Sequence, residues 1–200
     1  MKKLILIFPL LLFSLGTELT AQKVNEGVYL TAKDFTNSKV SFVNDQINNK
    51  YKIHLNEIFN SPKIKIIKGD SVIKLNKESV FGYCDKKNNS YRYYNKAEYK
   101  IINPSEKILL YSKTSMEGGF RSSHVVTNYY FSQDATSPIY ALTKSNLKEV
   151  FLKDVAFIEL LNVYFDSDKD LAAYDNINKG YMLNRVYELS QQKTTMVSNN

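Results

Sequence analysis

A hydroxyl, a cation and an imidazole stand side by side in the run Glu117-Gly118-Gly119-Phe120-Arg121-Ser122-Ser123-His124. Those residue types are the raw material of a nucleophilic hydrolase, with Ser122 or Ser123 attacking, His124 as base and Arg121 steadying negative charge. Against that reading, sequence neighbours rarely form a triad, the G-x-S-x-G elbow is absent, and no acidic orienter of His124 can be named. A surface loop explains the same letters, and catalysis by Ser122, Ser123 and His124 is kept as the alternative.

His54 and His124 are the only histidines. Neither stands in a His-x-x-x-His or Glu-x-x-His spacing, so no metal ligand set is expected, and no cofactor is predicted. Asp166-Ser167-Asp168-Lys169-Asp170 carries carboxylates at alternate positions, as a calcium loop does. Leu171 stands where an EF-hand needs glycine and Ile177 where it needs the bidentate glutamate, so capping of the next helix is the reading adopted. Cys84, the single cysteine, reads as a small buried side chain between Tyr83 and Asp85.

The remaining feature is aromatic. Tyr91, Tyr93 and Tyr94 flank Arg92, and Tyr129-Tyr130 repeat the doublet. Adjacent tyrosines in a strand place rings on both faces of a sheet. One face suits the core; the other, beside Arg92, Arg121 and lysines, suits a glycan, a partner protein of the cell envelope or an anionic surface. Packing is the commoner use of such rings, and Tyr91, Arg92, Tyr93, Tyr94 and Arg121 are the binding candidates.

Elements that would position these residues follow from hydrophobic rhythm. Tyr51-Ile53-Leu55 alternate with Lys52 and His54, and Ile64-Ile66 alternate with Lys63 and Lys65, the period of strands with one wet face. Gly69-Asp70 marks a hairpin turn before Val72–Leu75. Ser79–Ile102 reads as three short strands broken at 85–89 and at Asn95-Lys96, an antiparallel meander. Further strands are expected at 107–111 and 125–132, with a looser stretch over 112–123. Thr31 caps one short turn of helix pinned by Phe35.

Near Leu142 the beat changes. Leu147, Val150, Phe151, Val155, Ile158 and Leu161 recur at three- and four-residue spacings, predicting a helix capped by Ser145 with a break near Asp154. A last helix is expected over about 177–191, led in by Asn176. Strands first and helices last predict an α+β domain, an N-terminal antiparallel meander sheet packed by C-terminal helices.

Met1-Lys2-Lys3, the apolar run 4–15 and Ala21 have the layout of a secretory signal peptide, with Pro9 and Gly16 interrupting it too early for a spanning helix. The expected organisation is therefore a leader over 1–21, one α+β domain over 22–192 and a flexible tail over 193–200, exported to the periplasm or beyond, with no transmembrane segment after cleavage. The chain of 200 residues carries a net charge of +7, nearly all of it lysine, with Arg only at 92, 121 and 185. That composition speaks against nucleic acid as a partner.

The runs Phe81-Gly82-Tyr83, Tyr91-Arg92, Tyr99-Lys100-Ile101-Ile102, Tyr129-Tyr130-Phe131-Ser132, Ser137-Pro138-Ile139 and Leu142-Thr143-Lys144-Ser145-Asn146-Leu147 with Phe151 resemble those of uncharacterised secreted proteins of Bacteroidota-type bacteria. The resemblance covers most of the chain after the leader. It implies an architecture and no activity. A non-enzymatic exported binding or envelope accessory protein is the leading expectation; the alternatives are the small hydrolase and a lipocalin-like calyx for an apolar ligand.

Overall fold

The computed structural model describes residues 26–44, 51–55, 61–119 and 122–198. The expected leader, residues 1–21, and Arg121 lie outside the described residues. Strands β1 (Glu26–Tyr29), β2 (Ser41–Asn44), β6 (Gly82–Cys84), β7 (Ser90–Tyr94), β8 (Ala97–Ile101), β9 (Leu109–Glu117), β10 (His124–Ser132) and β11 (Tyr140–Ala141) form one antiparallel sheet in the order β11-β10-β9-β8-β7-β6-β1-β2. A second sheet holds β3 (Lys52–His54), β4 (Lys63–Lys68) and β5 (Ser71–Asn76). Helices α2 (Lys144–Val150), α3 (Val155–Tyr164) and α4 (Met182–Ser198) follow the strands, while α1 (Ala32–Thr36) sits between β1 and β2. The α+β class and the meander are those expected. Among the described residues no helix is long and apolar enough to cross a membrane.

Turn chemistry sets the registers. Asn95 and Lys96 both have positive φ (48° and 62°), the backbone that a two-residue type I′ hairpin requires, and they join the paired residues Tyr94 and Ala97. Gly69, at φ 55°, does the same work between Lys68 and Ser71. Thr31 and Asp34 form a reciprocal capping box on α1.

Alternation sends Tyr29, Cys84, Ile101, Leu109 and Tyr111 to one face of the large sheet, where Phe35 of α1 and Phe81 join them; the two phenyl rings stack at 4.9 Å. The other face has two covers. Helices α2, α3 and α4 close over Ile108, Leu110 and Phe131 with Leu147, Phe151, Phe157, Leu161, Leu183 and Val186. At the far end β4 lays Ile64 and Ile66 on Val28 and Val80. No strand pairs β11 with β2 among the described residues, so the sheet is open, and its helix side is filled with side chains; the calyx reading finds no closed barrel there.

Two buried asparagines, one on α4 and one in the loop between β8 and β9, satisfy the backbone where β9 begins. Asn184 of α4 accepts from the Ile108 amide at 2.8 Å and donates to the Ile108 carbonyl at 2.9 Å, presenting its amide as a neighbouring strand would. Asn103 donates to the same carbonyl and accepts from the Leu110 amide.

Several expected boundaries move. The cap of α2 is Thr143, whose hydroxyl accepts from Asn146, and not Ser145; Asp154 caps α3, which accounts for the break. Residues 174–181 are not helix: β12 (Tyr174–Asp175) and β13 (Gly180–Tyr181) form a hairpin whose turn is held by Asp175, which accepts from the amides of Ile177 and Asn178. Only Met182 starts the last helix, which runs past Gln191 to Ser198. The looser stretch over 112–123 is strand as far as Glu117.

Candidate functional site

Gly82 lies opposite Arg92 in the β6–β7 pair, and a Cβ there would collide with the Tyr91 carbonyl. Only glycine lets the two strands approach this closely. The Arg92 side chain is buried, not exposed beside the tyrosine rings. Its guanidinium donates to the Tyr111 hydroxyl at 3.0 Å, the Ser132 hydroxyl at 3.4 Å and the Ser137 carbonyl at 2.9 Å, and it lies 5.3 Å from the Phe81 ring centroid and 5.4 Å from that of Tyr94. A cation enclosed this way replaces water by neutral acceptors and ring faces, at a site that ties β7, β9, β10 and the loop after β10 together. Burial pushes the Tyr111 hydroxyl pKa upward although Arg92 and Ser132 pull it down, so the phenol stays neutral.

The tyrosines divide between packing and surface. Tyr91 stacks on Tyr83 at 4.6 Å and donates to Asp85. Tyr130 meets Tyr99 edge-on at 5.0 Å, and Tyr129 is exposed on the helix side of the sheet. Tyr93 and Tyr94, on opposite faces of β7, come together at its hairpin end. There they line a groove of about 790 Å³ with Ser61, Pro62, Asn76, Lys77, Glu78, Asn95, Lys96, Ala97 and Glu98.

That groove is built by two elements meeting. The β7–β8 hairpin supplies Tyr93 to Glu98, and the end of β5 with the 3-10 turn Lys77–Ser79 supplies Asn76, Lys77 and Glu78. Asn76 caps the turn by accepting from the Glu78 amide. Lys77 Nζ sits 5.2 Å from the centroid of the Tyr93 ring, and Glu98 accepts from the Tyr83 hydroxyl at 3.0 Å. Two lysines and two glutamates cancel in formal charge. What is left is rings, amides and a matched set of donors and acceptors. Nothing in the sequence marked Asn76, Lys77 or Glu78, because they reach the groove only through the docking of β3–β5.

The other candidates remain apart. Ser122, Ser123 and His124 are exposed at the distal end of the β9–β10 hairpin. Glu117 stands opposite His124 in register, yet no side-chain hydrogen bond or ion pair joins them among the described residues. In the segment 166–170, Ser167 and Asp170 form a capping box and Asp168 accepts from the Lys144 amide, so these carboxylates serve as caps. No group of three metal-ligating side chains occurs among the described residues. Burial pushes the Cys84 thiol pKa up, keeping it protonated and inert.

Compared with protein-family models, with curated proteins and with solved structures, the chain matches none.

Proposed function

We propose that the chain is an exported, non-enzymatic binding module that holds a glycan of the cell envelope or its surroundings in the Tyr93–Tyr94 groove. The observation that carries this reading is the composition of that groove: two tyrosines, two asparagines and a balanced pair of lysines and glutamates around about 790 Å³. A saccharide offers an apolar C–H face and a rim of hydroxyls that both donate and accept. Rings serve the first; amides, carboxylates and amines serve the second. An anionic surface would call for an excess of cations, which the groove lacks. Export is supported by the basic start and apolar run of residues 1–15, and by the resemblance to secreted proteins of Bacteroidota-type bacteria.

Affinity electrophoresis through gels containing soluble neutral polysaccharides tests the reading. Retardation by at least one of them is expected, weakened at least tenfold in Glu78→Ala, an exposed position, and in Asn95→Gly, which keeps the positive φ of the turn, at unchanged melting temperature. Migration unaffected by every polysaccharide, or retardation that survives both substitutions, would sink it.

A further inference from the structure

The small sheet turns one face inward and leaves the other to solvent. Alternation sends Ile64, Ile66, Ile73 and Leu75 toward Val28 and Val80. Lys52 and His54 of β3, Lys63, Lys65 and Ile67 of β4, and Val72, Lys74 and Asn76 of β5 therefore share the outer face. Pairing arranges them in rows across the strands: Lys52 beside Ile67 beside Val72, then His54 beside Lys65 beside Lys74, then Lys63 beside Asn76. No carboxylate stands in any of the three strands; Asp70 lies in the turn between β4 and β5, and Glu78 lies beyond the end of β5, on the groove.

Folding does not ask for this arrangement. Like charges directly opposite each other destabilise a sheet, yet Lys65 faces Lys74, and none of the four outer lysines enters an ion pair among the described residues. The sheet is held by its inner isoleucines, and a carboxylate at either position would hold it better. Val72, 49% exposed, adds an apolar side chain to the same face, directly opposite Ile67.

We propose that the outer face of β3–β5 rests on a bilayer containing anionic phospholipid, with the lysines over headgroup phosphates and Val72 and Ile67 at the acyl boundary. Charge complementarity fixes the sign of the partner, and three further features fix its kind. The cations spread across three strands rather than along a groove, which matches a plane of phosphates free to diffuse beneath them. All are lysines, point charges on long stems, with none of the forked arginines that grip individual phosphates of a chain. Apolar side chains among them gain nothing from a hydrated linear polyanion, whereas at a membrane interface they leave water. The sheet lies on the membrane without entering it, and its lysines take no part in the glycan groove.

Co-sedimentation tests this with vesicles made either of phosphatidylglycerol and phosphatidylcholine in equal parts or of phosphatidylcholine alone. Binding to the anionic vesicles is expected, at least tenfold stronger than to the neutral ones and weakening as salt is raised. Lys65→Gln combined with Lys74→Gln should weaken it at least tenfold, at a melting temperature no lower than wild type because the opposed charges are gone. Lys153→Gln combined with Lys169→Gln, the same charge taken from exposed positions outside the small sheet, should leave it unchanged. Val72→Ser should weaken it severalfold. Equal pelleting with both vesicles, or anionic binding that survives loss of Lys65 and Lys74, would overturn the proposal. So would binding that falls equally with the Lys153 and Lys169 pair, or retention on soluble alginate, a linear polyanion, with none on vesicles.

Discussion

At one end of the large sheet, helices α2, α3 and α4 close over Ile108, Leu110 and Phe131 so fully that Leu147, Phe157, Leu161 and Leu183 are all out of contact with water. At the other end β3–β5 bury Ile64 and Ile66 against Val28 and Val80, while Ile53, Ile73 and Leu75 remain half-buried. Both covers sit on the same sheet face, and they differ in kind. A helix presents a broad apolar stripe, and α4 adds Asn184 to satisfy the strand backbone it covers. A small sheet of alternating isoleucine and lysine offers one thin apolar layer. The groove opens beside the thin cover, where packing leaves room for a ligand, and the thick cover serves as the frame that holds the hairpins steady.

The contrast can be broken first in the thick cover. Phe157→Ala removes a fully buried ring from the α3–α4 interface and is expected to cost about 3–5 kcal/mol by urea denaturation. Asn184→Ala leaves the Ile108 amide without its partner, for about 2–3 kcal/mol. In the thin cover Ile66→Val should cost about 0.5–1.5 kcal/mol, and amides of β3–β5 should exchange with solvent through smaller openings than those of β9 and β10 nearest the helices. Should Ile66→Val prove costlier than Phe157→Ala, the ranking of the two covers is wrong.

The smallest expected effect belongs to neither cover and is electrostatic. Burial would raise the pKa of Asp85, but hydrogen bonds from the Asn89 side chain and amide, the Lys87 amide and Tyr91 outweigh it and hold the carboxyl below its ordinary value of 3.8. A carboxylate held low in the fold stabilises above its unfolded value, and that contribution is lost as pH falls from 3.8 through the lower folded value. Asp85→Asn should accordingly flatten the acid limb of a melting-temperature profile, leaving neutral pH as the place where the variant is weaker than wild type.

The rhythm of the sequence carried the architecture well where one face of an element is wet. Tyr51-Ile53-Leu55 and Ile64-Ile66 were legible as strands for that reason, and the change of beat at Leu142 marks the passage from β11 to α2. It failed where side chains give no contrast. Ser112, Thr114 and Ser115 alternate polar with polar, so the distal half of β9 carries no signal although its backbone pairs residue for residue with β10. The second half of the 174–181 hairpin, from Ile177, carries the expectation of helix because Asn176 resembles a cap, whereas Asp175 folds the turn and Lys179 adopts a positive φ of 53°. Of the site, Tyr93 and Tyr94 were legible as candidates. Arg92 was placed outside because a cation on a strand ordinarily is; the missing side chain at Gly82 and the rings of Phe81 and Tyr94 make the enclosure that a one-dimensional reading does not contain.

The partnership of Asn184 with Ile108 spans 76 positions of chain. A ribosome delivers the N-terminal end first, so the start of β9 waits, its amide unmatched, until the final helix has been made. The polypeptide thus withholds its own closure while it is still growing. The helix-side cover of the sheet can therefore close only after Asn184 has been made.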